Sequence, residues 1–139
     1  MFASAAYSNS PRRQLGAYHQ VQVATGVDGA SPHRLVGMLF DGLTDALAQA
    51  RGAMRSGNIE VKGRAIGRAV SIVDEGLKAC LNLADGGVLA ADLNDLYAYI
   101  TLRLTQANLA NDEAALEECG QLIEPLRNAW AQIAGSVPA

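Results

Sequence analysis

At 139 residues the chain has room for one domain with a single core, and with half its residues apolar and 18% charged it is globular rather than disordered. A net charge of −3 leaves no general basic footprint for nucleic acid, and no apolar run approaches the ~18 residues of a membrane span. Alanine and leucine dominate and only 5% of residues are aromatic, a mixture that favours packed helices over a sandwich or barrel.

The first fourteen residues, MFASAAYSNSPRRQ, are small and polar and read as a mobile tail. They lack a charged region followed by an apolar one, so no signal peptide is expected. QLGAYHQVQVATG follows, with Leu15, Tyr18, Val21 and Val23 as a short apolar pattern, and VDGA breaks it.

Ser31 then offers an N-cap and Pro32 suits the first helical position. Val36, Phe40, Leu43, Leu47, Ala50 and Met54 line one face of a long first helix, which RSGN ends. Ser31, His33 and Asp41 resemble a triad only in composition. His33 and Asp41 are two turns apart, roughly 12 Å along the axis, and cannot meet.

A second helix is expected over 60–84, with Ile66, Val70, Val73, Leu77, Leu81 and Ala84 on its main face and DGGV as its break. A third runs over 89–108 through Leu89, Leu93, Leu96, Ile100, Leu104 and Ala107. Asn111 or Asp112 caps a fourth, marked by Leu116, Cys119, Ile123, Leu126, Trp130 and Ile133. Pro125 inside it predicts a kink near 121–125. Four helices with short loops give an all-α, antiparallel up-down four-helix bundle over 31–139, preceded by a flexible segment over 1–30.

No catalytic chemistry is visible. The Glu-x-x-His pairs of a di-metal bundle are missing, because Gly16 and Ala30 stand three residues before the two histidines. Gly86-Gly87 lacks the further glycines and the lysine of a phosphate loop. Cys80 and Cys119 have no metal-site spacing and read as reduced, buried thiols. We therefore expect no cofactor, no metal and no enzyme.

Two features exceed what a plain bundle needs. The second helix carries an apolar shoulder of Val61, Ala65, Ile72 and Leu83, and the third an outer strip of Ala91, Ala98, Leu102 and Leu109. Such faces are either the ordinary exposed apolar area that every protein has or a groove for another helix or for the N-terminal segment. Seven glycines also fall inside helices, at a cost on the order of 5–7 kcal/mol against alanine. That softness suits a bundle that admits a partner.

AYHQVQV (17–23), ASPHRLVGMLFDG (30–42), GLKACL with DGG (76–87) and LNDLYAYITLRLTQANLANDEAALEE (93–118), closing on Trp130, occur in one order over about residues 15–133. In these stretches the chain resembles the flagellar export chaperone family that holds flagellin before secretion (FliS-like). The resemblance implies a cytoplasmic chaperone for the disordered C-terminal segment of flagellin, one that prevents premature polymerisation and docks, loaded, on the export-gate protein of the type III flagellar apparatus. It implies that the segment within 1–30 lies over the groove and is displaced. Matched by position, Tyr18 and Val21 belong to that segment. Leu39, Phe40 and Asp41 fall in the first-helix motif, and Leu96, Tyr97, Leu104, Asn108, Asn111 and Asp112 in the third-helix motif. With Ile72, Leu83, Leu102 and Leu109 from the outer faces, these residues, Asn111 and Asp112 excepted, supply the expected client contacts. The competing reading is a helical adaptor or regulator that binds another helix, or forms a weak homodimer without client, through the same groove.

Overall fold

In the computed structural model, residues 31–81 and 83–133 are described, the side chains of 83–85 excepted. The expected tail and apolar segment over 1–30 lie outside the described residues. The first helix, α1, spans Pro32–Ser56. Ser31 caps it as the sequence suggests, its Oγ accepting from the Arg34 N–H at 3.2 Å. It ends where Gly57 takes a left-handed φ of 76°. There the Asn58 N–H reaches Ala53 O and the Gly57 N–H reaches Met54 O, the paired bonds of a Schellman turn.

Asn58 caps α2, Ile59–Ser71, by accepting from the Val61 N–H. The second helix does not run to Ala84. At Ile72 it widens into a π-helical turn, Ile72–Leu77, in which the Lys78 N–H bonds back five residues to Val73 O at 2.8 Å. The turn buries Val73, Gly76 and Leu77 together. Gly76 makes this possible: a Cβ there would lie 2.9 Å from Leu39 Cδ2 on α1.

The third helix, α3, spans Leu83–Ala110 but is interrupted at Gly87, whose φ of 58° and ψ of −139° are open in practice only to glycine. The expected break at DGGV is thus present, with regular helix resuming after it. Asn111 turns the chain at φ 53°, and Asp112 caps α4, Glu113–Gln132, accepting from the Ala114 and Ala115 N–H groups. Pro125 lies inside α4, which continues as one helix on either side of it.

Consecutive helices pack against each other, and α4 returns to pack on α1, closing a four-helix ring. The start of α1 meets the end of α4 through His33 and Trp130, which confirms the antiparallel order. Leu35, Leu43, Ile100, Leu104, Leu116 and Ile123 are fully buried at its centre. In α3 the expected inward face is buried at Ile100, Leu104 and Ala107, whereas in the first half Ala90 and Tyr97 turn inward beside a 69% exposed Leu89 and a half-buried Leu96, so there the buried face lies about one residue round from the expected stripe. Among the described residues no strand occurs, and no helix is long and apolar enough to cross a membrane.

Candidate partner-binding surface

Four polar clasps fix the helices that carry the surface. At one end of the bundle, His33 stacks on Trp130 with centroids 4.6 Å apart and planes 9° from parallel. The Trp130 Nε1–H donates to His33 O at 2.8 Å, and His33 Nε2 lies 3.0 Å from Trp130 O. Arg127 donates to Asp41 at 2.8 Å one turn further in. His33 and Asp41 therefore both turn to α4, and no triad forms.

At the other end Arg51 and Arg55 converge on Glu113, and they hold its carboxyl below the usual carboxylate range. Midway along α3, the Tyr99 hydroxyl and Arg103 both donate to Glu118, with the same effect on that carboxyl.

The fourth clasp joins α2 to the end of α3. Lys62 is buried, 7% exposed, and its ammonium donates to Asn108 O at 3.1 Å and to Asn111 Oδ1 at 3.0 Å. It thus caps the Asn108 carbonyl near the C-terminal end of a helix, where carbonyls lack helical partners and a positive charge is favoured, and holds the Asn111 side chain beside it. The contact brings Ile59, one turn before Lys62, to the same end of the bundle as Leu109. Both are largely exposed, at 76% and 84%.

From Leu109 an exposed strip runs back along α3 through Thr105, Leu102, Ala98, Asp95 and Ala91. The spacing alternates four and three, so the residues share one side of the helix over about 27 Å. Leu102 stands 54% exposed at its middle. Their angular position, relative to Asn108 and its Lys62 contact, places the strip on the flank of α3 toward α2. Gly63 of α2 points into open space, with nothing within 4 Å of the Cβ it lacks. Four of the six strip residues are apolar, Asp95 and Thr105 being polar, and the strip is long enough for several helical turns of a partner.

The expected contact residues divide across this frame. Leu102 and Leu109 lie on the strip, and Asn108 borders it but spends its carbonyl on Lys62. Asp41 is exposed and ion-paired with Arg127. Leu39, Phe40, Tyr97 and Leu104 are core residues, exposed by 6%, 3%, 3% and 0%; they occupy the inward faces of α1 and α3 and do not meet a partner at the surface in this state. Burial pushes the Tyr97 hydroxyl up to about 12.

The shoulder of the second helix is also corrected. Ala65 is buried, and Ile72 packs half-buried against α1, its Cδ1 3.4 Å from where a Gly42 Cβ would stand. Ile72 therefore belongs to the α1–α2 seam, not to the α3 strip. Leu96 is half-buried against the core. Tyr18 and Val21 lie outside the described residues, as does the side chain of Leu83. Sequence reasoning missed Ile59 and Lys62. Ile59 as the first residue after an asparagine cap was a legible sign of exposure, whereas nothing local marked Lys62.

Among the described residues no group of three or more histidine, cysteine or carboxylate side chains is placed to hold a metal. Burial pushes the Cys80 and Cys119 thiols up to about 11, away from nucleophilic use.

Comparison with known proteins finds relatives along most of the chain. The family model for the flagellar protein FliS matches residues 14–137. The chain is 47% identical over 119 residues to the flagellar secretion chaperone FliS of Salmonella typhimurium, covering 86% of this chain and 88% of that protein. To the flagellar secretion chaperone FliS of Vibrio cholerae it is 40% identical over 122 residues, 88% of this chain and 89% of that one. The corresponding Bacillus subtilis protein is 33% identical over 116 residues, covering 84% and 82%.

Proposed function

The chain belongs to the FliS family, and from that premise we propose that it is a non-catalytic cytoplasmic chaperone for flagellin export. Its client is the disordered C-terminal segment of flagellin, which folds into helix on the chaperone and is thereby kept from polymerising before delivery to the export gate. The observation that supports this most is the exposed strip of α3, with Leu102 and Leu109 in register on a face that, among the described residues, no other helix covers. A disordered segment gains order and buries apolar surface together on such a face, with no nucleotide required. Leu39, Phe40, Tyr97 and Leu104 serve that face from inside, by fixing the helices that present it.

Residues 1–30 act as a separate covering segment, Tyr18 and Val21 lying over the groove until client displaces them. Deleting residues 1–24 is expected to raise binding of an apolar dye while the bundle still melts cooperatively; unchanged dye binding would count against the cover.

The direct test mixes the purified chain with a flagellin C-terminal fragment. Co-elution as a defined complex, a gain of helical circular dichroism beyond the sum of the parts, and delayed polymerisation of full-length flagellin are expected. Self-association without any binding of the fragment would favour a dimerising adaptor instead.

A further inference from the structure

The two halves of α4 are held to the bundle by different means. Before Pro125 the helix is anchored in the core by Ala115, Leu116, Cys119 and Ile123, none more than 1% exposed. From Glu124 to Gln132 no residue is buried, and Leu126 and Trp130 are only partly covered. Pro125 sits at the boundary. It has no N–H to give to the carbonyl of Gln121, so the helix is one hydrogen bond short where its burial ends.

What fastens the second half is mostly polar and reciprocal. Trp130 and His33 exchange two hydrogen bonds and stack, and Arg127 grips Asp41 on α1 and Glu124 on its own helix. The indole lies over Gly37, with Cδ1 3.7 Å from the missing Cβ, and close to Phe40.

We propose that residues 126–132 form a strap that releases from α1 as a unit, pivoting at Pro125, while the rest of the bundle stays folded. Release lifts the indole from Gly37 and uncovers Phe40. The strap is a conformational device independent of the client strip on α3, and it would stand if that reading failed. Segments with few buried contacts open at free energies below that of global unfolding, and a shared fastening makes them open together.

Native-state hydrogen exchange of the full chain tests this. The amides of Arg127 through Gln132 are expected to exchange at one common rate, at least tenfold faster than those of Leu116 through Ile123, with the step at Pro125. His33→Phe, which keeps a stacking ring but loses the Nε2 contact, should speed all of the strap amides alike and leave the Leu116–Ile123 amides unchanged. Pro125→Ala should slow the strap amides at least tenfold. Trp130 is the sole tryptophan of the chain, so its fluorescence should shift at lower urea than the loss of helical circular dichroism. Rates graded from Gln132 inward would mean ordinary end fraying and overturn the proposal. So would strap amides as slow as the core, an unaltered step in Pro125→Ala, or coincident fluorescence and helicity transitions.

Discussion

Replacing Lys62 by methionine keeps the length of the side chain and removes its charge. The ammonium donates to Asn108 O and Asn111 Oδ1 in a place that leaves the residue 7% exposed. A hydrogen bond from a charged donor contributes about 1.5–3 kcal/mol. Two would suggest more, but relief of the ammonium's own desolvation offsets part of the loss. What decides the sign is that both acceptors stay behind. The Asn108 carbonyl loses its cap near the end of α3, and Asn111 keeps a left-handed φ of 53° without the contact that helps fix it. We expect a net destabilisation of about 1–3 kcal/mol, read as a lower urea midpoint at unchanged m-value. At about 4 °C per kcal/mol for a domain of this size, the melting temperature should fall by roughly 4–12 °C. Pairing Lys62→Met with Asn111→Gly in a double-mutant cycle isolates the shared bond, because glycine accepts the left-handed turn at no steric cost. Lys62→Met with stability within about 0.5 kcal/mol of the parent would refute the claim that this ammonium holds α2 to the end of α3.

Ser31→Ala should cost about 0.5–2 kcal/mol in chemical denaturation through loss of the Arg34 N–H cap. Gly63→Ala and Gly67→Ala, which meet nothing within 4 Å, should each stabilise by up to about 1 kcal/mol, whereas Gly76→Ala should destabilise because its methyl meets Leu39; equal effects in thermal melts would contradict the packing. The native thiols of Cys80 and Cys119 keep their protons up to about pH 11, against 9.0 for the unfolded chain. Their contribution is therefore whole below pH 9 and is lost as pH rises through about 11, so melts between pH 8 and 10.5 should show a steeper decline in the parent than in the Cys80→Ala, Cys119→Ala double variant.

The helices were legible wherever the signal was local. Ser31 with Pro32, Asp112 with Glu113, and the apolar spacing of α1 each depend on neighbours within a turn or two, and each stands where the sequence placed it. The π turn at Ile72 was not legible, because the close packing of Gly76 on Leu39 of α1 joins residues far apart in the sequence. The inward face of α3 was legible at Ile100, Leu104 and Ala107 but misplaced by one residue in the first half, where Ala90 and Tyr97 are buried and Leu89 is not. His33 looked idle because its partner is 97 residues away. At the surface, Leu102 and Leu109 could be assigned to an outer face by angle alone. Ile72 could not, since the same angle is covered by α1 beyond Gly42 and open elsewhere.

The central claim is that the α3 strip receives the flagellin C-terminal segment, and titration calorimetry with that fragment, paired with thermal melts, tests it most directly. Leu102→Asp and Leu109→Asp change side chains that are 54% and 84% exposed, so each should alter folding stability by less than about 0.5 kcal/mol. A charge forced into an apolar interface should weaken binding at least tenfold, or about 1.4 kcal/mol. Ile100→Asp, at a fully buried position, is the control that should unfold the chain. The account predicts lost affinity with retained melting temperature for both strip variants. Parental affinity in two well-folded strip variants would contradict it and place the client elsewhere on the bundle.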